Sequence, residues 1–164
     1  MIGGAFMAAA GTADAINLES WDNQINKPSR FKVLSAFGDA AVLDKETQLV
    51  WEQSPDRNTR TWSGAQVFCN NRNVGNRLGW RLPTIQELAS LIDPTIASPD
   101  PTLPLGHPFR NVLSSHYWSA TSFAFDAAIF AWDVDLFNGV VGTRGKTDAA
   151  HVWCVRGGQG VDPQ

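Results

Sequence analysis

The sequence predicts an α+β fold in which two short helices pack on a twisted antiparallel sheet with long irregular loops, and three observations support this class. Residues 132–136 alternate apolar and polar side chains, which is the period of a strand. Thr84, followed three residues later by Glu87, forms a capping box ahead of an apolar helical stripe. Asn138 and Gly139 form a dipeptide typical of hairpin turns.

Length and composition predict one folded domain. The chain has 164 residues, 43% hydrophobic and 18% charged, which is typical of a globular protein with a substantial core. The net charge of −3 argues against a nucleic-acid partner, because such proteins concentrate Lys and Arg on one surface. No apolar run reaches the length of a membrane-spanning helix.

The two ends of the chain are predicted to lie outside this domain, which spans residues 30–157. Residues 1–29 are interpreted as an N-terminal arm or the remnant of an export signal. Ala13-Asp14-Ala15 faintly resembles a signal-peptide cleavage site, but the segment lacks a positively charged start. An arm that packs on the domain or on a partner is the alternative, and residues 158–164 form a short tail.

The first half of the domain is predicted to begin with strands. Residues 31–34 form one strand, and residues 42–43 and 49–51 form a small antiparallel hairpin around a polar turn. The polar stretch 54–61, which contains Pro55, is predicted to be a loop.

Two helices and a long loop follow. Thr61 or Ser63 caps the first helix, and the second begins at the Thr84 capping box and ends near Asp93 and Pro94. Their apolar stripes are Trp62, Ala65, Phe68 and Cys69, and then Ile85, Leu88, Leu91 and Ile92. Between the helices, residues 80–83 are predicted to be extended, because a residue before proline avoids the helical region. Residues 94–114 contain five prolines and form an irregular loop, and loops of this length are usually functional or mobile.

Residues 117–156 are predicted to form a β-meander with one face in the core. Trp132, Val134 and Leu136 share the apolar face, and the opposite face carries Asp133, Asp135 and Phe137. A type I′ turn at residues 138–139 connects two of its strands. The free face is therefore the candidate functional surface.

Several landmarks across residues 30–157 resemble a known family. They are Arg30-Phe31, Gly38-Asp39, Val42, Asp44, Thr47, Leu49, Trp51, Trp62, Ala65, Cys69, Trp80-Arg81-Leu82-Pro83-Thr84, Glu87-Leu88, Leu91, Asp93, Tyr117-Trp118-Ser119, Ala131-Trp132, Val134, Gly139, Lys146 and Cys154-Val155-Arg156. The pattern is similar to the bacterial domain typified by the C-terminal domain of the Lcl collagen-like adhesin. This resemblance implies a C-type-lectin-like fold of the formylglycine-generating-enzyme type. One departure is Gln48, where the family usually has glycine.

The C-terminal part also resembles the variable proteins of diversity-generating retroelements, in which asparagine codons at exposed positions are randomised. Such codons cannot encode Lys, Glu, Gln, Met or Trp. Between Ser122 and Gly145 the only residue of these types is Trp132, at a scaffold position. The corresponding diversified positions would be Phe123, Phe125, Asp126, Ile129, Phe130, Asp133, Asp135, Phe137, Asn138 and Val140.

Grouped aromatic side chains on an exposed face are typical of recognition surfaces. The predicted ligand-binding residues are Phe123, Phe125, Asp126, Phe130, Asp133, Asp135, Phe137, Asn138 and Arg144. The alternative is that some of these rings pack beneath the loop 94–114.

Cys69 and Cys154 lie 85 positions apart, too far for a local metal knuckle or a redox motif. A disulfide between them would tie the middle of the chain to its end and favour an oxidising compartment. Two buried free thiols in a reducing compartment are the alternative. The bridge is consistent with an extracellular or surface-displayed protein, on a cell or a virion.

Other chemistry finds little support. Three carboxylates, Asp126, Asp133 and Asp135, could hold calcium, but the triplets of calcium-dependent sugar-binding lectins are absent, which favours a solvated acidic face. The histidines at positions 107, 116 and 151 have no spacing typical of a metal site or catalytic triad. Arg81 is interpreted as a structural hydrogen-bond donor. No catalytic residue, cofactor or metal is therefore predicted.

The sequence thus predicts a non-enzymatic recognition module that binds a protein or glycan ligand through residues 122–148. In one version it is the variable protein of a diversity-generating retroelement. In the other it is a fixed glycan-binding adhesin domain. An enzyme of the formylglycine-generating type is the least favoured reading, and the ligand and oligomeric state are left open.

Overall fold

The computed structural model describes residues 30–96 and 101–158, and these form two helices and two β-sheets. The α+β class is therefore confirmed, whereas the predicted arm at 1–29 and nearly all of the tail lie outside the described residues. The helices are α1 (Trp62–Asn70) and α2 (Ile85–Ala89). The strands are β1 (Phe31–Val33), β2 (Ala41–Asp44), β3 (Leu49–Glu52), β4 (Asp56–Arg60), β5 (Trp80–Arg81), β6 (His116–Ser122), β7 (Phe130–Asp135), β8 (Val140–Gly145), β9 (Ala150–Val152) and β10 (Val155–Arg156).

Sheet 1 has the strand order β1-β2-β3-β10-β5 and contains antiparallel pairs throughout. The predicted hairpin of β2 and β3 is confirmed, with Val42 opposite Trp51. Strand β10 returns from the end of the chain to separate β3 from β5.

Sheet 2 has the order β4-β9-β6-β7-β8, so the prediction of one continuous meander was wrong. Strands β6, β7 and β8 do form a meander. Strand β9 instead crosses over to lie parallel to β6, with His151 beside Tyr117, and β10 joins the other sheet. The structure therefore has two sheets where the sequence predicted one. The last two strands are divided between them, with β9 in sheet 2 and β10 in sheet 1.

The polar stretch predicted to be a loop contains strand β4. Asp56 pairs with Val152 and Arg60 pairs with Ala150, with an irregular register between them. The strand was missed because it lies at a sheet edge, where backbone pairing needs no alternation of apolar side chains. Its sequence of Asp, Arg, Asn, Thr and Arg is therefore compatible with a strand there.

Both helices begin where their capping residues predict. The Thr61 side chain accepts a hydrogen bond from the backbone N–H of Gly64, and the capping box of Thr84 and Glu87 is complete. Helix α2 ends at Ala89, earlier than predicted, although Leu91 beyond it is still buried.

Sheet 2 separates two apolar cores. Tyr117 and Val134 lie in the first core with Leu88 of α2, whereas the neighbouring Trp118 and Ala131 lie in the second with Ala65 of α1. Since neighbouring residues of a strand point to opposite faces, each face of sheet 2 is covered by one helix. Strand β7, which lies between β6 and β8, thus has a core on each of its faces.

The predicted disulfide is present. Cys69, in the last turn of α1, is bonded to Cys154, between β9 and β10, and both residues are fully buried in the second core. The bridge fastens α1 to the segment that joins β9 of sheet 2 to β10 of sheet 1.

Arg81 is the structural donor that its motif predicted. Its guanidinium forms two 2.7 Å hydrogen bonds with the Glu87 carboxylate and also donates to the carbonyls of Leu82 and Gly157. It therefore joins β5, α2 and the end of β10.

The proline-rich loop 94–114 has no helix or strand in its described part, residues 94–96 and 101–114, as predicted. It nevertheless packs closely, because Leu103 and Phe109 are buried in the first core. Thr102 donates its backbone N–H to the carbonyl of Leu136 at 2.9 Å. The loop therefore supports the turn that follows β7. No helix among the described residues is long and apolar enough to cross a membrane.

Gln48 has φ of 59°, a left-handed conformation in the turn between β2 and β3. This conformation costs an L-residue about 1–2 kcal/mol, more than the roughly 0.5–1 kcal/mol that glycine's extra freedom costs in the unfolded chain. We expect Gln48→Gly to stabilise the protein by about 0.5 kcal/mol, measured by urea denaturation. Gln66→Gly within α1 is the control and should destabilise; a loss of stability in both would contradict the strain at Gln48.

Candidate recognition surface

The face of β7 that was predicted to be free is largely buried. Val134 and Leu136 lie in the core as predicted, and Trp132 is partly buried beside it. On the opposite face Ala131 is fully buried and Asp133 is only 3% exposed. Alternation identified the two faces correctly, but it could not show that α1 and its core cover the second face.

Asp133 belongs to an internal ion-pair network, so the prediction that its carboxylate lies on an exposed face was wrong. The Arg144 Nε donates to Asp133 Oδ2 at 3.0 Å, and His116 Nδ1 lies 2.9 Å from the same oxygen. The His116 Nε2 lies 3.9 Å from Asp135 Oδ2. Asp133 and Arg144 satisfy each other across β7 and β8, and this pair stabilises the hairpin.

The turn group comprises Phe137, Asn138 and Val140 at the β7–β8 connection. The connection has four residues, since Asp135 pairs with Val140, and Gly139 has φ of 73° while Asn138 has no positive φ. The predicted type I′ turn was therefore wrong. The side-chain oxygens of Asp135 and Asn138 accept backbone hydrogen bonds from Phe137 and Val140, so these two polar groups hold the turn.

The position of Gly139 explains this longer turn. A Cβ atom there would lie 2.9 Å from Cγ2 of Ile92, so the turn packs directly on the segment after α2. Phe137 remains 45% exposed beside this contact, on the outside of the molecule.

The loop group comprises Phe123, Phe125, Ile129 and Phe130 at the β6–β7 connection. The Phe123 ring packs edge-on against Trp132, with centroids 5.4 Å apart, and lies 5.4 Å from the Phe125 ring. Phe125 is 92% exposed, and Ile129 and Phe130 are also exposed. A row of rings thus runs from the edge of the core to solvent.

The loop that carries these rings is fixed by hydrogen bonds from both sides. Phe123 donates its backbone N–H to Phe130 at 3.0 Å, and Lys146 donates its backbone N–H to Ile129 at 2.7 Å. The Lys146 ammonium donates to the Ser122 hydroxyl and the Ala127 carbonyl, and it stands 3.7 Å from the centroid of the Trp62 ring. Burial lowers the pKa of Lys146.

Lys146 is a supporting residue that sequence reasoning did not assign to the surface. It was visible only as a family landmark, because the partners of its side chain lie 19 to 84 positions earlier in the chain and no local pattern connects them. The Lys146 ammonium donates to polar groups of the β6–β7 connection that would otherwise bond only to water.

The predicted binding residues therefore do not form one surface. Five residue steps separate Phe130 from Asp135, so the loop group and the turn group lie about 17 Å apart at opposite ends of the hairpin. The network of Asp133 and Arg144 lies between them. Asp126 belongs to the loop group's 3₁₀ turn, where its backbone N–H bonds to Phe123.

Asp126, Asp133 and Asp135, which were considered as calcium ligands and interpreted as a solvated acidic face, lie in the loop, the ion-pair network and the turn respectively. Within residues 30–96 and 101–158, no group of three or more His, Cys, Asp or Glu side chains is arranged to hold a metal ion. His107 and His151 lie elsewhere, and burial lowers the pKa of each.

A separate polar cleft of about 460 Å³ lies between the end of β3, the end of α1 and the proline-rich loop. The buried Glu52 carboxylate at its base accepts from Arg72 Nε at 2.6 Å and from the backbone N–H of Cys154. Burial raises the pKa of Glu52, against the opposing charge of Arg72. Sequence reasoning missed this cleft, because its walls come from four separate segments, residues 38–40, 52–54, 72–74 and 110–111. Their mixed charges select no particular ligand.

Most of the described chain matches the model of one protein family. The family model described as the Lcl C-terminal domain matches residues 40–156, more than half of the chain. The matched segment contains both cysteines, the loop group and the turn group. The search of curated proteins found no match.

Proposed function

The chain belongs to the family of the Lcl C-terminal domain, and from this premise we propose that it is a non-catalytic recognition module that binds a protein ligand through the loop group. The observation that carries the proposal is Phe125, which at 92% exposed is the most exposed large apolar side chain among the described residues. Large apolar side chains grouped on a surface are typical of binding sites.

The loop group has the construction of an interface anchor. Phe125 contacts Phe123, which in turn packs on Trp132 at the margin of the core. Lys146 and the strand-end hydrogen bonds hold the loop, so little conformational entropy is lost when a ligand covers the rings. Aromatic anchors of this kind carry a large share of binding energy in protein interfaces.

The chemistry around Phe125 favours a protein over a glycan. Its exposed neighbours Ile129 and Phe130 are apolar, and the polar groups of Ser122 and Lys146 are already bonded to each other. A glycan presents many hydroxyl groups, which need free donors and acceptors in the site. An apolar protein surface matches the loop group better.

The disulfide supports both the absence of catalysis and the proposed compartment. An enzyme of the formylglycine-generating type would require a reactive pair of cysteines. Cys69 and Cys154 are instead bonded to each other and buried. Disulfides persist in oxidising environments, which supports an extracellular or surface-displayed location on a cell or virion.

The narrower form of the proposal is that the chain is the variable protein of a diversity-generating retroelement. Its support is that Phe125, Ile129, Phe130, Phe137 and Val140, all would-be diversified positions, are exposed. The coding DNA tests it: a nearby near-identical repeat with adenine-rich codons at these positions is expected. Absence of such a repeat would instead favour a fixed adhesin domain.

Phe125→Ser tests the recognition surface. We expect it to weaken ligand binding at least about 30-fold, since interface anchors contribute 2 kcal/mol or more, while the melting temperature stays nearly unchanged. The purified protein would be screened on arrays of surface proteins and glycans, and the affinity for each bound molecule measured for wild type and variant.

Val67→Ser is the matched control, because Val67 is 60% exposed on α1, outside the proposed surface. It should leave binding unaltered. Full binding by Phe125→Ser, or binding confined to glycans, would contradict the proposal. The same change at Phe123 should also cost stability, because its ring is partly buried on Trp132.

A further inference from the structure

Within residues 30–96 and 101–158, strand β8 forms an open edge of sheet 2. Its six residues contain neither proline nor lysine, and Val140 and Val141 are 53% and 41% exposed. Its single charged side chain, Arg144, turns inward onto Asp133 and so does not guard the edge. An edge strand of this kind is a ready template for pairing with another strand.

The other edges of the two described sheets carry protection that β8 lacks. Strand β1 has three residues, including Lys32, and β5 has two. Strand β4 carries Asp56 and arginines along an irregular register. Short length, charge and irregular pairing are the usual ways in which proteins prevent edge-to-edge association.

We propose that β8 is a self-association surface, on which β8 of a second copy pairs antiparallel about a two-fold axis to form one continuous sheet. A register centred on Gly142 places Val141 of each copy opposite Thr143 of the other. Pairs of β-branched residues stabilise antiparallel strands. Val140 then lies opposite Arg144, so no like charges meet.

The side chains at the ends of the edge also fit this register. Val140 lies opposite Asp135 in the hairpin and shares its face of the sheet, whereas Phe130 lies opposite Gly145 on the face of Trp132 and Val134. Pairing about the two-fold axis keeps each face on its own side, so Val140 of each copy lies beside the aliphatic stem of the partner copy's Arg144. This contact occurs at both ends of the paired edge.

Sedimentation of the full chain tests the inference. The wild type should show a reversible monomer–dimer equilibrium between about 10 and 500 µM, since an interface below about 1,000 Å² is expected to be weak. Val140→Lys combined with Val141→Lys should raise the dissociation constant at least about 10-fold, because the lysine at position 140 then lies across from Arg144 of the other copy and like charges destabilise paired strands. Val67→Lys, at a similarly exposed valine on α1, should not.

Circular dichroism would establish that the double variant is folded, and Thr143→Lys provides a second, single exposed change if it is not. A wild type that remains monomeric at all concentrations overturns the inference. So does a dimer that the β8 variants leave intact, or one that Val67→Lys dissociates equally.

This inference does not depend on the proposed ligand. Phe125→Ser should leave the dimer intact, and the lysine variants should retain monovalent ligand binding. Loss of one property without the other therefore shows which of the two proposals fails.

Discussion

Replacing both Cys69 and Cys154 with alanine is expected to lower the free energy of unfolding by about 2–5 kcal/mol. The bond closes a loop across 85 positions, so its loss greatly enlarges the conformational freedom of the unfolded chain. It also joins α1 to the segment between β9 and β10, within a core where both cysteines are fully buried. A marginally stable domain cannot lose this much without a large fall in melting temperature.

Urea denaturation with and without reductant measures the effect. Reductant should destabilise the wild type by a similar amount and leave the double variant unchanged. The single variant Cys69→Ala should match the double variant if the bridge, rather than the thiol of Cys154, is responsible. Equal stability of the wild type in oxidised and reduced buffer would refute a stabilising disulfide.

Elements specified by neighbouring residues could be predicted from the sequence. The capping box at Thr84 needs only Glu87, and the β2–β3 hairpin needs only its own turn. Strand β4 was missed because its partner β9 lies about 90 positions later, and nothing in its polar sequence signals that partner. Non-local pairing of this kind also placed β9 beside β6, which no pattern within residues 117–156 indicates.

The same distinction between local and non-local interactions applies to the candidate site. Phe137 was predicted to be exposed because it follows Asp133 and Asp135 on the face opposite Trp132, and Phe125 because it belongs to the aromatic group just upstream. Both side chains are exposed in the structure. Burial of Asp133 did not follow, because it depends on Arg144 across the hairpin and on the core beneath α1. A buried carboxylate and an exposed one give the same alternation, and only the partner distinguishes them.

Asp44→Ala is expected to cost about 3 kcal/mol, because it leaves the buried guanidinium of Arg30 without its main partner. Asp44 is fully buried, and its carboxylate accepts two hydrogen bonds from Arg30, at 3.0 and 2.8 Å. It also accepts from the Glu46 backbone and the Thr47 hydroxyl, so it holds the β2–β3 turn. Arg30 in turn donates to the Ser90 carbonyl beyond α2. The Glu46 carboxylate, 3.4 Å from Arg30, offsets only part of this loss.

Asp56→Ala provides the matched control, since Asp56 also pairs with an arginine, Arg60, but both side chains are partly exposed. Partly exposed ion pairs contribute less than about 1 kcal/mol to stability, so the control should change the free energy of unfolding very little. Equal losses in the two variants would show that burial does not determine the effect.

The pH dependence of stability gives an independent check on Asp44. Burial alone would raise the pKa of Asp44, but the hydrogen bonds and charge of Arg30 outweigh burial and hold it below the ordinary value of 3.8. The stabilisation is therefore complete above pH 3.8 and is lost as the pH falls through the lower folded-state pKa. Glu52, whose pKa burial raises, contributes with the opposite sign, because its proton binds more tightly in the folded protein. Asp44→Ala should consequently flatten the acid limb of the stability curve, measured by urea denaturation from pH 6 to pH 2. An unchanged slope would mean that the Arg30–Asp44 pair is not the source of the protein's acid sensitivity.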